Sequence, residues 1–202
     1  MKVFGIGLSK TGTTSLGVAL SQLGFYHLHG PDVNSIGYWQ KEDWKKLRER
    51  IEAYDSFEDW PWGLLYEKID EWFPDSKFIL TKRSSPEVWF ESSVEFRKVK
   101  GPSPLRKSIF GFSQPLPKNK GPHIMFYKSH LNEVRKYFHD KPNKLLEVCW
   151  EEGDGWKELC DFLEVKTIPN KLFPHKNRKE ANQKKRFYTH FFKGCLSKFR
   201  KI

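Results

Sequence analysis

The segment from Gly7 to Ser15 (GLSKTGTTS) combines two glycines, one lysine and five hydroxyl side chains. A short apolar stretch, Lys2–Gly7, leads into it and is predicted to be a buried strand, whereas the apolar spacing from Thr13 to Leu23 predicts a helix. In a strand–turn–helix unit of this kind, N–H groups of the turn and of the first helical turn point at one position, where the helix dipole favours an anion. The segment is therefore predicted to bind phosphate or sulfate groups.

The position of the lysine separates this turn from the nucleoside-triphosphate P-loop, although Gly7 and Gly12 have the P-loop spacing. In the P-loop a lysine follows the second glycine, and the next Ser or Thr binds magnesium. Here Thr13 takes the place of that lysine, and Lys10 lies inside the turn, near the outer group of a transferable ester. Phosphoryl transfer from a triphosphate needs a divalent metal to neutralise its charge. A sulfuryl group carries a single negative charge, which one lysine can stabilise, so the pattern favours sulfuryl transfer.

A second candidate anion-binding element follows Lys77–Thr81, an apolar stretch that is predicted to be a strand. Arg83 comes directly after this strand, Pro86 opens a helix, and Ser92 and Ser93 lie about two helical turns further on. Arginine makes bidentate contacts with phosphate, and a serine hydroxyl can donate to the same group.

These two segments resemble the sulfotransferases that use 3′-phosphoadenosine 5′-phosphosulfate. Gly7–Leu16 is similar to the loop that binds the 5′-phosphosulfate, and Lys77–Ser93 is similar to the element that binds the 3′-phosphate. Further similarity to one compact subgroup, in Asp55–Pro61 and in the C-terminal half, extends the resemblance over about residues 2–177. The resemblance implies this donor as co-substrate, with no metal. It also implies that the donor is bound by residues of the loop and of the second element, namely Ser9, Lys10, Thr11, Gly12, Thr13, Thr14, Ser15, Arg83 and Ser92. Ser93 is the alternative to Ser92.

Sulfuryl transfer needs positioning, charge stabilisation and removal of the acceptor proton. We predict that Lys10 stabilises the sulfuryl and bridging oxygens. The general base is left open between His29, since histidine is a common general base near neutral pH, and Asp59, which precedes Pro61 in a turn on the predicted binding edge. His27, Asp32 and His130 are further candidates. Hydrogen-bonded structural histidines and a helix-capping Asp59 are the alternatives to these catalytic roles.

The acceptor is expected to be a hydroxyl or amine on a small molecule or glycan, and no pattern in the sequence identifies it further. Phe57, Trp60 and Trp62 either line an aromatic acceptor pocket or belong to the core. Residues 101–122 contain five of the 12 prolines and are predicted to form no helix or strand. A loop of this length is uncommon unless it is functional or disordered, so we interpret it as a lid over the substrate or as a disordered segment.

The predicted elements alternate between strands and helices, with a third strand at Leu145–Cys149. Such alternation is typical of a parallel sheet covered on both faces, and right-handed crossovers place the loops after the strands at one edge. We therefore predict a three-layer α/β fold that is P-loop-like. The length of 202 residues allows one domain, at 1–175, and a basic amphipathic extension at 176–202.

Most of the net charge of +11 lies in that extension, which carries ten Lys or Arg and one acidic residue. Phe187, Phe191, Cys195 and Phe199 recur every four residues, so the extension is predicted to be a helix that docks on the body. A possible second role for it is binding to polyanions or to an anionic surface.

The sequence contains neither an apolar run of transmembrane length nor a signal-peptide pattern, and its three cysteines are widely spaced. These features predict a cytoplasmic protein without a disulfide framework, a metal site or a specific nucleic-acid partner, and they leave the oligomeric state open. Two other functions are weighed against sulfuryl transfer. One is a nucleotide-dependent kinase or NTPase of the P-loop fold, which would need magnesium, and the other is a polyanion-binding module that acts through the tail.

Overall fold

The computed structural model describes residues 1–175 and shows a β-sheet with helices packed on both faces. The helix predicted within residues 176–202 lies outside the described residues, so the division into a domain and an extension stays a prediction. In chain order the elements are β1 (Val3–Gly5), α1 (Thr13–Gln22), β2 (His27–Leu28), α2 (Val33–Gln40), α3 (Trp44–Glu52), β3 (Ser56–Phe57), a 3₁₀ helix (Trp62–Leu64), α4 (Tyr66–Trp72), β4 (Lys77–Thr81), α5 (Pro86–Lys100), α6 (Pro104–Phe110), a second 3₁₀ helix (Pro117–Asn119), α7 (Lys120–Phe138), β5 (Leu145–Val148) and α8 (Trp156–Leu163).

The five strands are all parallel and follow the order β2-β3-β1-β4-β5. β1 lies in the middle, where Val3 is paired with Ser56 of β3 and with Lys77 of β4. The chain runs from β1 to one edge of the sheet, returns through β3 and then crosses to β4. Open parallel sheets bind ligands beyond the carboxyl ends of the strands at such a reversal. The topology therefore places the glycine turn after β1 at the expected binding position.

Side chains that alternate along each strand build a separate core on each face of the sheet, because successive residues of a strand point to opposite faces. Phe4 and Phe78 belong to the core beneath α3, α4, α5 and α7, whereas Val3 and Ile79 belong to the core beneath α1 and α8. All four side chains are fully buried. This arrangement confirms the predicted three-layer α/β fold with a central parallel sheet.

The short strands β2 and β3 and the helix α2 were not specified by the sequence analysis. β2 and β3 contain two residues each, too few for an alternating pattern to be recognised. Their strand conformation depends on pairing, since β3 is hydrogen-bonded between β1 and β2.

The prediction that residues 101–122 contain no helix is wrong, since α6 and the second 3₁₀ helix lie within them. The start of α6 is stabilised by Ser103, whose hydroxyl accepts a hydrogen bond from the N–H of Arg106, and by Pro104 in the first turn. Gly111 ends the helix with a φ of 75°, a left-handed conformation that glycine adopts without steric cost. The prolines and glycines of this segment are therefore helix-boundary signals.

A search of residues 1–175 for helices that combine bilayer-spanning length with an apolar sequence found none.

Candidate active site

Hydrogen bonds from β4 and α5, together with one inside the turn, hold the glycine turn between β1 and α1, which we call the anion loop (residues 7–15). The hydroxyl of Thr11 lies 2.7 Å from the carbonyl oxygen of Leu8 and 2.6 Å from the hydroxyl of Thr81 in β4. The indole N–H of Trp89 in α5 donates to the carbonyl of Ser9 at 2.9 Å. A Cβ atom at Gly7 would overlap Thr81, so only glycine allows β4 to approach this closely. The loop is therefore fixed before any ligand arrives.

The start of α1 has the features of an anion-binding helix terminus. Gly12 precedes it with a φ of 96°, and no side chain caps its first turn. The carbonyl of Gly12 accepts a hydrogen bond from the indole of Trp150, which follows β5, at 3.2 Å. Thr13 and Ser15 are buried, whereas the hydroxyl-bearing Thr14 is exposed. The positive end of the helix dipole thus faces the position that the sequence analysis assigned to an anion.

Lys10 occupies the middle of the anion loop in a left-handed conformation, with a φ of 77°. Its ammonium lies 4.1 Å from the centre of the Phe96 ring in α5. Burial lowers the pKa of Lys10, the charge of Asp59 opposes that shift, and the charges of Arg83 and Arg97 add to it. The pKa of Lys10 is therefore influenced by one carboxylate and two guanidinium groups that come from separate parts of the chain.

Asp59 follows β3 and is held beside the anion loop. Its Oδ1 accepts a hydrogen bond from the N–H of Trp60 at 2.9 Å, and its Oδ2 accepts a long one from the hydroxyl of Thr13 at 3.4 Å. The backbone of Asp59 has a φ of 67°, an uncommon value for a residue other than glycine. Burial raises the pKa of Asp59, and the Trp60 N–H and the charge of Lys10 partly oppose this shift. The carboxyl group of Asp59 can therefore accept a proton in the field of Lys10. Its hydrogen bonds to Trp60 and Thr13 do not cap a helix.

Glu58, the neighbour of Asp59, is a buried acid that the sequence analysis did not consider. It is 1% exposed, its Oε1 accepts a hydrogen bond from the N–H of Gly30 at 3.1 Å, and its Oε2 has no hydrogen-bond partner among the described residues. Burial, with a further contribution from the charge of Asp59, raises the pKa of Glu58 to about 8. Its position at the end of a two-residue strand left no pattern in the sequence to indicate burial.

The raised pKa of Glu58 predicts a specific dependence of stability on pH. The folded protein retains a proton on Glu58 up to about pH 8, whereas the unfolded chain releases it near its ordinary pKa of 4.5. The contribution of this proton to the free energy of unfolding is therefore complete below pH 4.5. It is lost as pH rises to about 8, by at most about 1.4 kcal/mol per pH unit. Glu58→Gln removes this titration, so its free energy of unfolding is expected to vary less with pH than that of the wild type.

Urea denaturation at pH 5, 6, 7 and 8 measures this difference between the two proteins. Glu91→Gln is the matched control because Glu91 is an exposed side chain on α5. Equal slopes for the wild type and Glu58→Gln would contradict the expected protonation of Glu58.

His27 and His29 lie together at the end of β2, with ring centres 4.7 Å apart. His27 is buried, and its Nδ1 lies 2.8 Å from the hydroxyl of Ser56, whereas His29 is exposed. Burial, followed by the neighbouring His29, lowers the pKa of His27 to about 4. Ligand atoms of His27, His29 and Glu58 lie within 4.8 Å of one another, a grouping that can hold a metal ion and that the sequence spacing did not indicate.

The remaining candidates for the general base have structural partners. Asp32 caps α2 by accepting from the N–H of Ser35 at 2.9 Å, and it forms an ion pair with Arg50 at 3.2 Å. The Nε2 of His130 lies 2.8 Å from the carbonyl oxygen of Ile6, inside the fold.

The aromatic cluster near Asp59 belongs to the core. Phe57 and Trp62 are completely buried beneath the sheet, so the alternative in which they line an acceptor pocket is wrong. Trp60 is also buried, and its ring centre lies 6.0 Å from that of Phe110 in α6. Phe110 in turn lies 6.2 Å from Trp89. The segment that we interpreted as a lid thus packs directly against residues that hold the anion loop and Asp59.

Arg83 lies on the other side of the anion loop, after β4. Its guanidinium forms an ion pair with Glu151 at 2.7 Å, and its Nε has no hydrogen-bond partner among the described residues. On α5, the hydroxyl of Ser93 is buried and equally unpartnered, whereas Ser92 is half-buried. Arg97 adds a cation near Lys10, since both contact the ring of Phe96. Arg106 is a further buried cation, and the sequence analysis singled out neither arginine.

Comparison with known proteins agrees with this arrangement. Two overlapping stretches, residues 2–118 and 103–182, match the family described as the sulfotransferase domain. Ava biosynthesis cluster protein M of Aspergillus versicolor is 27% identical over 214 aligned positions, which cover 87% of this chain and 80% of that relative. The family match spans most of the chain, including the anion loop, Asp59 and Arg83. The protein belongs to the sulfotransferase domain family and is a transferase enzyme.

Proposed function

We propose that the protein transfers a sulfuryl group from 3′-phosphoadenosine 5′-phosphosulfate to a hydroxyl or amine of an acceptor. The observation that carries the proposal is the contact of the anion loop with the buried carboxyl of Asp59, which accepts a hydrogen bond from Thr13 at 3.4 Å, while Lys10 lies in the same loop. A cation for the departing group and a proton acceptor for the incoming one are thereby available at one loop, and the charges of the two groups act on each other. The name of the relative in Aspergillus versicolor refers to a biosynthesis cluster, which favours a small-molecule acceptor over a glycan.

The two ends of the donor fit two different parts of the site. The 5′-phosphosulfate is assigned to the anion loop and the start of α1, where backbone N–H groups and the exposed hydroxyl of Thr14 are available. The 3′-phosphate is assigned to Arg83 with a serine of α5. Arg83 would exchange its ion pair with Glu151 for the phosphate, and the unpartnered hydroxyl of Ser93 favours Ser93 over Ser92 as the second donor.

The transfer is an in-line displacement at sulfur. The acceptor oxygen or nitrogen forms a bond to sulfur while the bond between sulfur and the bridging phosphate oxygen breaks. Lys10 stabilises the charge that develops on the bridging and sulfuryl oxygens, and adenosine 3′,5′-bisphosphate leaves. The proton of the acceptor moves to the carboxylate of Asp59. We prefer Asp59 to His29 as base because Asp59 contacts Thr13 of the anion loop, whereas His29 is exposed and contacts His27.

Calorimetry with adenosine 3′,5′-bisphosphate, compared with ATP plus magnesium, tests the assignment of the donor. We expect the bisphosphate to bind without metal and Arg83→Ala to weaken its affinity by about 10- to 100-fold, since hydrogen bonds to charged groups contribute about 1.5–3 kcal/mol. Arg135→Ala is the control because Arg135 is paired with Glu147 on α7 and β5. Binding of ATP–magnesium in preference to the bisphosphate would replace this proposal with a kinase or NTPase of the P-loop fold.

A cytoplasmic location and the role of the basic tail stay predictions from the sequence. The expectation of a small-molecule or glycan acceptor, without a specific nucleic-acid partner, also stays a prediction. The tail lies outside the described residues.

A further inference from the structure

Two arginines near the anion loop have no role in the transfer described above. Arg106 of α6 is 6% exposed, and its Nε and Nη2 atoms have no hydrogen-bond partner among residues 1–175. Its guanidinium lies 4.4 Å from the centre of the Phe110 ring. Arg97 of α5 donates from Nη1 to the carbonyl of Gly101 at 3.1 Å, and its Nε is likewise unpartnered. Together the two side chains present three buried donor atoms without acceptors.

Neither arginine forms an ion pair with an acidic side chain among residues 1–175. Burial, followed by the charge of Arg97, lowers the pKa of Arg106 to about 10, and no acidic group opposes the shift. The pKa of Arg97 is lowered by burial. A buried, unpaired cation is costly to the folded state, and native proteins pair such groups with an anion. The arrangement therefore indicates a binding partner with negative charge.

The position of the pair connects it to the site of transfer. The ring of Phe96 lies 4.1 Å from the ammonium of Lys10 and 4.6 Å from the guanidinium carbon of Arg97, so both cations share one aromatic neighbour. The ring of Phe110 contacts the guanidinium group of Arg106, and its centre lies 6.0 Å from the ring centre of Trp60, the residue after Asp59. Arg97 is thus linked to Lys10 through Phe96, and Arg106 is linked to the segment of Asp59 through Phe110 and Trp60.

Within the pair, Arg97 lies on α5 four residues after Ser93, whereas Arg106 is linked through Phe110 to the opposite side of the anion loop from Arg83. Arg83 follows β4 and is bound to Glu151 after β5, whereas Phe110 beneath Arg106 contacts the segment after β3. In the sheet order, β1 and its anion loop separate these two sides. The donor phosphates are assigned to the loop and to the side of β4. An anion at Arg106 would accordingly lie on the side of Asp59, where the acceptor must approach.

A further donor lies next to the same aromatic ring. His123 of α7 is 1% exposed and stacks on Phe110 at 5.2 Å. Its Nδ1 lies 2.9 Å from the carbonyl of Asn119, and its Nε2 is unpartnered among the described residues. The charge of Arg106 contributes to the lowering of its pKa, which shows that the two side chains are close. α5, α6 and α7 thus each supply an unpartnered nitrogen to one region.

We propose that Arg97 and Arg106 form a subsite for an anionic group of the acceptor, so that the substrates are small hydroxy or amino compounds carrying a carboxylate, phosphate or sulfate. This inference rests on the proposed sulfuryl transfer. The anionic group would be bound beneath α6, with its hydroxyl or amine directed to Asp59 and the sulfuryl group. Recognition by two guanidinium groups supplies both orientation and charge complementarity.

Binding of inorganic sulfate to protein saturated with adenosine 3′,5′-bisphosphate tests the subsite, because the bisphosphate occupies the positions assigned to the donor phosphates. We expect Arg106→Met to weaken sulfate binding at least about tenfold, in line with the loss of a charged hydrogen-bonding group. Lys107→Met is the matched control: Lys107 is exposed on the same helix, and its replacement is expected to change sulfate affinity less than about twofold. Undetectable sulfate binding by the wild type, or equal affinity in Arg106→Met, would overturn the proposal.

Thermal unfolding without ligand separates a binding role from a structural one. Methionine has a similar length and no charge, so Arg106→Met is expected to keep or raise the melting temperature by removing an unpaired buried cation. A fall of several degrees would assign Arg106 a structural role and overturn the proposal. Arg97→Gln provides a second variant for the sulfate measurement, and it is expected to show a loss of the same sign.

The affinity for the bisphosphate itself distinguishes failure of this proposal from failure of the proposed function. Arg106→Met is expected to bind the bisphosphate as the wild type does, whereas Arg83→Ala is expected to bind it weakly. A loss in Arg106→Met as large as that in Arg83→Ala would assign Arg106 to the donor and overturn the acceptor subsite, with sulfuryl transfer unaffected. If the wild type does not bind the bisphosphate, the proposed donor is wrong, and the sulfate comparison without nucleotide still decides whether Arg106 binds an anion.

Discussion

Replacement of Lys10 by alanine is expected to lower the turnover number for sulfuryl transfer by about 10²–10³, the usual effect of removing one donor to a developing oxyanion. The expectation follows from the position of the ammonium inside the anion loop, where Asp59, Arg83 and Arg97 all act on its charge. Burial makes such a charge effective, because the surrounding protein screens it less than water does. The measurement is the rate at which saturating phosphosulfate donor releases adenosine 3′,5′-bisphosphate, with an acceptor or with water alone.

The loss in Lys10→Ala is expected in turnover rather than in binding of the bisphosphate product, which lacks the sulfuryl group. Lys82→Ala is the matched control, because Lys82 lies after β4 at the same edge of the sheet and is paired with Glu147 and Glu152. Turnover by Lys10→Ala within a few-fold of that of the wild type would remove Lys10 from the catalytic step. A large loss of bisphosphate affinity would move its role to donor binding.

Replacement of Asp59 by asparagine is expected to reduce turnover by about 10²–10⁴, the typical contribution of a general base. Asparagine is a suitable substitute because its amide oxygen can accept the Trp60 N–H and because it tolerates a positive φ, which is 67° at this position. The effect on stability is therefore expected to be small compared with the effect on rate.

The pH dependence of the rate provides a second criterion for Asp59. Its pKa is raised by burial, so the fraction of active carboxylate increases as pH rises through that raised value. The wild-type turnover number is thus expected to fall on the acid side and to rise with pH. Asp59→Asn should lose this rising limb along with most of its activity. Because Glu58 and Asp59 interact, the limb is expected to report the titration of the pair.

His29→Gln tests the alternative base that the sequence analysis left open. His29 is exposed, so the substitution is expected to leave turnover within about threefold of the wild-type value. A loss in His29→Gln equal to that expected for Asp59→Asn would transfer the role of base to His29.

The local parts of the site were predictable because their signals lie within short segments. The residues around positions 7–15 predicted a turn between a strand and a helix, which the structure shows, while its binding of an anion stays a prediction. The apolar stretch before Arg83 predicted the strand β4. Their resemblance to sulfotransferases is confirmed by the family match. The apolar patterns of β4, β5 and α8 are continuous over enough residues to be recognised without a structure.

The errors occurred where structure depends on partners distant in the chain. β3 contains two residues, and only its pairing with β1 and β2 makes it a strand. The burial of Glu58 and the position of Asp59 follow from that pairing and could not be predicted without it. In residues 101–122 the helix-boundary residues were present, but they were interpreted as loop signals.

The sequence by itself determined the family, since the residue identities around the glycine turn and Arg83 carry the resemblance to sulfotransferases that the family match confirms, and they predict an anion beside Lys10. The tertiary structure decided which groups surround that lysine. It brings Asp59 from the end of β3, Arg83 from the end of β4 and Arg97 from α5 into the field of Lys10. It also buries Arg106 without an acceptor. The physical reason is that pKa values and unsatisfied hydrogen bonds depend on burial and on distances in space, which are set by the packing of elements far apart in the chain.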